Sequence, residues 1–259
     1  MEIELLADLI VQAKKVVVFT GAGVSTESGI PDFRSPGGIW SRYDPEGFTI
    51  QKFLSSPEAR RMQWKMLTEG GLTAQGEPNP AHYAIAELEN LGKLDCVITQ
   101  NVDNLHQKAG VPENKVFELH GNMQWAICLS CHRRFPMKEV LQWITEGIEV
   151  PDCPNCRGIL KPDAVFFGEA LPQETLTEAT RHSENCDLFI VIGSTLVVYP
   201  AAYMPTHAKD VGAKLAIINL SPTPLDHYAT VLIQGKAGEI MPKVVEKVRI
   251  KLQSKSTKS

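Results

Sequence analysis

The sequence predicts an α/β fold, a doubly wound and mostly parallel Rossmann-like sheet with a smaller inserted module. Three observations predict it. Apolar runs of four or five residues recur at Val16–Phe19, Cys96–Thr99, Leu188–Ile192 and Leu215–Ile218, and unbroken runs of that length read as strands buried on both faces. Helical patterns alternate with them, which is the order of βαβ units. Two C-x-x-C pairs fall together between residues 124 and 162 among Pro, Asn and Arg, outside that alternation.

In chain order, residues 3 to 13 place apolar side chains at helical spacing and lead into a strand over 16–20 that ends at Gly21. Ser35 to Glu77 is richer in aromatic and charged residues, with Trp40, Tyr43, Phe48, Phe53 and Trp64. It reads as short helices joined by turns. Pro80 to Leu91 is an amphipathic helix capped by Asn79 and stopped at Gly92. Cys96–Thr99 is the second strand and Val116–Leu119 a third, after which the cysteine-bearing module is inserted. Strands at Leu188–Ile192 and Leu215–Ile218 flank a helix near 200–209, and a last helix covers about 238–251. The Lys- and Ser-rich residues 252–259 read as a disordered tail. The chain then divides into a large unit (1–34, 78–122 and 163–251) and a small module, helical over 35–77 and metal-bearing over 123–162.

Composition narrows the function. The 259 residues are 43% hydrophobic and 22% charged with a net charge of -4, so no positive field draws the protein to nucleic acid or an anionic membrane. The start Met1-Glu2-Ile3-Glu4 lacks the basic residues of a secretory signal. The longest nearly apolar stretch, Leu188 to Tyr199, is too short to span a bilayer. A cytoplasmic protein is expected, with no membrane or direct nucleic-acid partner. In such a reducing compartment paired C-x-x-C motifs point to metal before disulfides.

Cys128 and Cys131 form one pair, Cys153 and Cys156 the other, with 21 residues between them. Each pair closes a knuckle that sets two thiolates on one tetrahedral ion, and four thiolates leave no open position, so one structural zinc is expected. Unrelated surface pairs or a redox motif are the alternatives. This makes the inserted module a zinc ribbon plus helices.

Gly21-Ala22-Gly23-Val24-Ser25-Thr26 follows the first strand. Glycines there let the backbone approach a bulky anion, although Thr26 stands where a third glycine of the dinucleotide fingerprint belongs. Tight turns use such glycines without any ligand, but the tail Pro31-Asp32-Phe33-Arg34 adds a carboxylate, a ring and a guanidinium that a structural turn does not need. Thr99-Gln100-Asn101-Val102-Asp103 gathers amides and a carboxylate at the end of the second strand, where α/β sheets bind ligands. It also reads as a hydrophilic loop whose Asp103 or Asn104 caps the next helix. His120 ends the next apolar segment and is a natural base near neutral pH, or an ordinary packed histidine. Val165-Phe166-Phe167-Gly168-Glu169 and Gly193 to Pro200 read as core strand, or as two edges between which an extended peptide adds as a strand. Gly193, Ser194 and Asn219, each just after a strand, offer hydrogen bonds to a ribose or phosphate.

Together these motifs resemble the sirtuin family of NAD-dependent protein deacylases, in particular its bacterial and archaeal members, from about residue 16 to 242. Gly21 through Arg34 resembles the family's NAD loop, Thr99–Asp103 with Leu105-His106 its nicotinamide-ribose motif, His120-Gly121 its catalytic pair, and Lys161-Pro162-Asp163 through Glu169 its acyl-lysine segment. The resemblance implies NAD and one zinc as cofactors and an acyl-lysine protein or peptide as substrate. It implies an NAD-binding set of Gly21, Ala22, Gly23, Thr26, Asp32, Phe33, Arg34, Gln100, Asn101, Val102, Asp103, His120, Gly193, Ser194 and Thr195, with Asn219, Leu220 and Ala237 on the adenine side. It further implies catalytic roles for His120, Asn101 and Asp103, and a substrate-binding set of Val165, Phe167, Gly168, Glu169 and Val197.

In the implied reaction nicotinamide leaves from a site at Asp103 and Val102, the acyl oxygen attacks the exposed carbon, and His120 activates a ribose hydroxyl. The products are free lysine, nicotinamide and O-acetyl-ADP-ribose. Phe33 shields the reactive carbon, Arg34 pairs with phosphate, Val165 hydrogen-bonds the acyl-lysine amide and Phe167 walls its tunnel. Gly193-Ser194-Thr195 departs from the family's G-T-S or G-S-S but keeps hydroxyls. Members that remove acidic acyl groups carry Tyr-x-x-Arg in the module helix; an ungapped reading puts Met62 and Lys65 there, which predicts neutral acyl groups, acetyl first. A mono-ADP-ribosyltransferase and a non-enzymatic NAD-sensing or zinc-ribbon regulator are the competing readings.

Overall fold

The computed structural model describes residues 1–69 and 76–256. The strands are β1 (Val16–Thr20), β2 (Leu94–Thr99), β3 (Val116–Glu118), β4 (Gly121–Cys128), β5 (Arg134–Pro136), β6 (Leu160–Ala164), β7 (Leu188–Ile192), β8 (Lys214–Asn219) and β9 (Val231–Gln234). The α-helices are α1 (Glu2–Gln12), α2 (Ile50–Ser55), α3 (Pro57–Thr68), α4 (Pro80–Asn90), α5 (Leu105–Lys108), α6 (Met137–Thr145), α7 (Gln173–Ser183), α8 (Met204–Asp210) and α9 (Ala237–Ser256). The main sheet is wholly parallel in the order β3-β2-β1-β7-β8-β9, and a second, antiparallel sheet runs β5-β4-β6.

All five residues of β1 are buried, and its pleat divides them between two layers. Val16 and Val18 pack with α1, α4 and α9, while Val17 and Phe19 pack with α7 and α8. That is why the strand reads as a continuous apolar run. α4 starts because the Asn79 side chain accepts the Ala81 N–H at 2.9 Å and His82 Nδ1 accepts the Asn79 N–H at 3.3 Å, with Pro80 at the first position. It stops at Gly92, whose φ of +67° suits a residue without Cβ.

The small sheet, α3 and α6 surround a third core. Phe48, Trp64, Met66 and Leu67 from one stretch of chain interlock there with Met123, Ala126, Met137, Val140 and Leu160 from another. The helical and cysteine-bearing parts therefore share one interior, and the boundary drawn at 162/163 falls inside β6.

The last helix corrects the expectation of a tail from residue 252: it continues to Ser256. Leu252 packs against the α1–α4 core, and Lys251 bridges Glu4 at 2.6 Å and Asp8 at 2.7 Å on α1. Lys and Ser composition suggested disorder, but these contacts with a distant helix hold the turn in place. The remainder of the expected tail, 257–259, lies outside the described residues, as does part of the helical segment, 70–75. The sequence reading also missed α7 and β9. Among the described residues no helix is long and apolar enough to cross a membrane.

Candidate active site

The strand order reverses between β1 and β7, and a parallel sheet opens a crevice at the carboxyl ends of its strands at such a point. The glycines sit there because the two loops touch. The Gly21 N–H donates to the Ile192 carbonyl at 3.1 Å and the Gly23 N–H to the Gly193 carbonyl at 2.9 Å. A Cβ on Gly193, whose φ is +63°, would lie 2.3 Å from the Val24 nitrogen. No other residue fits that crossing.

One cavity of about 370 Å³ opens from this crossing and reaches between the two sheets. Every sequence-predicted NAD or substrate residue lines it except Val197. Leu196 takes a left-handed backbone (φ +55°) and is buried, which turns Val197 outward, 48% exposed. Val198 lines the wall instead.

Around the end of β2 the side chains are already paired. Asn101 Nδ2 donates to the Gly21 carbonyl at 3.2 Å and to Ser25 Oγ at 3.1 Å, while Ser25 donates to Asp103 Oδ2 at 2.7 Å. Asp103 Oδ1 accepts the Leu105 N–H at 3.0 Å. Gln100 Nε2 donates to Ser194 Oγ at 2.7 Å and so ties β2 to the loop after β7. The amide oxygen of Asn101 and the remaining carboxylate lone pairs of Asp103 stay available to a ligand. Ser25, which joins both residues, was quoted in the sequence reading but given no role.

His120 Nδ1 lies 2.9 Å from the Gln100 carbonyl. A carbonyl only accepts, so the proton sits on Nδ1 and Nε2 keeps its lone pair. Burial lowers the His120 pKa below 6.5, a shift the Gln100 hydrogen bond only partly offsets. The imidazole is neutral at pH 7, the form a base requires.

Behind this wall two further histidines are buried. His106 Nε2 is 2.9 Å from Thr20 Oγ1, whose own proton goes to Thr99 Oγ1 at 2.8 Å. The His82 and His106 rings lie 5.1 Å apart. Burial pushes His82 down to about 4 and His106 to about 3, the second also opposed by the charge of the first. Unfolded histidine binds its proton near 6.5, so below that pH the unfolded chain takes up protons the folded one refuses. Stability is full above pH 6.5 and declines toward pH 4, by about 1 kcal/mol per histidine between 6.5 and 5.5. Thermal melts at pH 7.5 and 5.5 check this: Tm falls at the lower pH in the wild type, and the fall is smaller in His106→Gln.

Some predicted cofactor residues spend their polar groups on the fold. Asp32 accepts the Arg34 and Ser35 N–H groups and the Ser35 hydroxyl, and Thr26 donates to the Gly23 carbonyl. Beside Ala237, the Gly238 N–H at the start of α9 donates to Glu27 at 2.7 Å. Arg34 is exposed at the rim and Phe33 packs against Trp40 with centroids 5.3 Å apart.

On the acyl side the Val165 N–H donates to the His120 carbonyl at 2.8 Å, and Phe167 exchanges backbone bonds with Phe48 and Ile50. Val165 therefore has only its carbonyl left to meet an acyl-lysine amide. Glu169 is clamped: Oε2 accepts from Lys161 Nζ at 3.1 Å and from the Phe166 N–H at 2.9 Å, while Lys161 also donates to the Ala164 carbonyl at 2.6 Å. Met62 and Lys65, the positions read as facing the acyl end, do not line the cavity. Met62 and Lys65 are exposed, and Lys65 pairs with Glu69. Gln63, Met66 and Leu67 are the α3 residues on the cavity. Burial of Ala59, Gln63, Met66 and Leu67 follows the i, i+4, i+7, i+8 pattern, a signal the sequence did contain.

The four predicted cysteines converge. Their sulfurs lie within 4.8 Å of one another, with Cys128 and Cys156 at 3.5 Å and Cys131 and Cys153 at 3.7 Å. Four sulfurs about 2.3 Å from a tetrahedral zinc stand about 3.8 Å apart, so the donor set fits the ion.

The family model described as Sir2 family matches residues 21–200. NAD-dependent protein deacetylase 1 of Pyrobaculum aerophilum is 48% identical over 249 residues, covering 96% of this chain and 95% of that protein. NAD-dependent protein deacylase 2 of Archaeoglobus fulgidus is 48% identical over 250 residues, 96% of each. A solved Sir2–p53 peptide–NAD+ complex matches with a TM-score of 0.87 at 40% identity, over 96% of this chain and 100% of that one. Sir2Af2 bound to a myristoylated histone peptide matches with a TM-score of 0.79 at 44% identity, over 98% of each.

Proposed function

The chain belongs to the Sir2 family, the sirtuins, and is an NAD-dependent protein-lysine deacylase; from that premise we propose how its own residues divide the work. When bound, NAD supplies the ADP-ribose that accepts the acyl group as nicotinamide departs. The crossing of Gly21, Gly23 and Gly193 with the Ser194 and Thr195 hydroxyls holds the phosphate and ribose groups, and Asn219, Leu220 and Ala237 form the adenine end. Asp103, oriented by Ser25, and the Val102 backbone receive the nicotinamide, and Asn101 presents its amide oxygen on the ribose side. His120 Nε2 takes the proton of a ribose hydroxyl. Phe33 covers the reacting centre against water and Arg34 pairs with phosphate at the rim.

The substrate is an acyl-lysine protein or peptide, held as an added strand between Gly168–Glu169 and the segment around Val197. The Val165 carbonyl accepts the acyl-lysine amide N–H and Phe167 walls the tunnel. Cys128, Cys131, Cys153 and Cys156 hold one structural zinc, remote from the reaction. A four-thiolate metal site beside two buried thiols, Cys96 and Cys186, suits a reducing, cytoplasmic setting. Gln63 and Met66 offer neither a phenol nor a guanidinium, so acidic acyl groups are poor substrates.

The observation that carries this reading is the fixed tautomer of His120 at the cavity wall, 2.9 Å from Gln100. Incubation with an acetyl-lysine peptide, with and without NAD, tests it by mass spectrometry. One nicotinamide and one O-acetyl-ADP-ribose form per lysine freed; NAD consumption with the acetyl group retained would refute it. A second expectation concerns the clamp. Lys161→Met frees Glu169 and loosens the 161–169 segment, so the peptide KM rises about tenfold while NAD affinity measured by calorimetry is unchanged. An equal loss of both affinities would show that Lys161 supports the whole fold instead.

A further inference from the structure

To the cavity wall α3 contributes Gln63, Met66 and Leu67, joined by Phe48 and Met123. Gln63 is the one polar side chain in this set, and only 3% of it is exposed. An amide in such surroundings is costly unless its groups are paired. Half of it is: Nε2 donates to the Gly47 carbonyl at 2.6 Å. Because a carbonyl can only accept, this bond fixes which way the amide points and leaves Oε1 as the free end. Among the described residues Oε1 has no hydrogen-bond partner, and its residue lines the cavity.

A fixed acceptor at the acyl end of the tunnel is of no use to a plain hydrocarbon chain and repels a carboxylate. A hydroxyl is the neutral acyl substituent that completes it, by donating to Oε1. We propose that Gln63 makes this protein selective for lysine acyl groups that carry a hydroxyl on the chain. The proposal rests on the deacylase reading and deepens it to a substrate class. Since Oε1 is held in one direction, it favours one enantiomer of a chiral hydroxyacyl group. Acetyl carries no hydroxyl, so it remains a substrate that gains nothing from Oε1.

The test compares peptides bearing butyryl-lysine with peptides bearing (R)- or (S)-3-hydroxybutyryl-lysine, each with NAD. In the wild type one enantiomer has a kcat/KM about tenfold above butyryl, the scale of one added hydrogen bond to a buried acceptor. In Gln63→Leu and Gln63→Met that ratio drops to about one or below and the enantiomers converge. Each ratio is taken on a single protein, so a general loss of activity cancels. No preference over butyryl for either enantiomer in the wild type overturns the proposal, whether or not the variants fold. An unchanged ratio in a folded variant overturns it too. Wild-type release of acetyl with no hydroxyacyl preference sinks this inference alone; no NAD-dependent release from any peptide sinks the deacylase reading with it.

Discussion

His120→Ala loses deacylation while NAD still binds: kcat falls by about 10²–10⁴-fold, the usual worth of a positioned base. The loss falls on chemistry because, among the described residues, the ring makes one hydrogen bond, from Nδ1 to the Gln100 carbonyl, and the hydrogen bonds of Asn101, Ser25 and Asp103 do not pass through it. The wild-type pH profile carries the same signature. Burial depresses the His120 pKa below 6.5, and a base works only when unprotonated. Activity is therefore level above pH 7 and declines as pH falls through the depressed pKa. Single-turnover rates from pH 5 to 8, with calorimetric NAD binding for the variant, decide the matter. Turnover within tenfold of wild type in His120→Ala would move the base elsewhere.

Cys153→Ser, or stripping the zinc with a chelator, removes a larger share of the molecule than its position suggests. Binding of structural zinc is worth about 10–16 kcal/mol in isolated zinc-finger peptides at pH 7. Here the knuckles close the same core that contains Phe48, Met66 and Met123, and those residues also line the cavity. Loss of the ion melts the small sheet and the acyl end of the cavity with it, while the main sheet, with separate cores, persists. Deacylation disappears, near-UV circular dichroism is partly lost, and zinc added back restores both. A zinc-free preparation of full activity would contradict this account.

The main sheet was legible because strands buried on both faces leave unbroken apolar runs, as β1, β7 and β8 do. β9 was not, since it lies at the edge and two of its four residues are open, which weakens the pattern. The cysteines declared their site through spacing alone. Ser25 and Asp103 were harder: 78 positions separate them, and nothing local in either stretch announces a hydrogen bond that the sheet creates by setting β1 beside β2. Lys161 and Glu169 were quoted as parts of one segment, yet their pairing depends on a turn at Gly168, φ +79°. On α3 the phase was readable, but motif matching put the acyl end on Met62 and Lys65 where helical periodicity would have chosen Gln63 and Met66.

The position of β1 has a consequence for how the polypeptide is made. It leaves the ribosome ahead of the other strands of its sheet, yet it lies at the middle of that sheet, with Val16 beside Leu188, 172 positions later. At about 5–20 residues per second, that neighbour follows roughly 9–35 s behind. During this interval β1 has β2 as its only flank at best, and the edge that later meets β7 is open. Until β7 arrives the nascent chain carries an open sheet edge, a state that chaperones cover and that overexpression exposes.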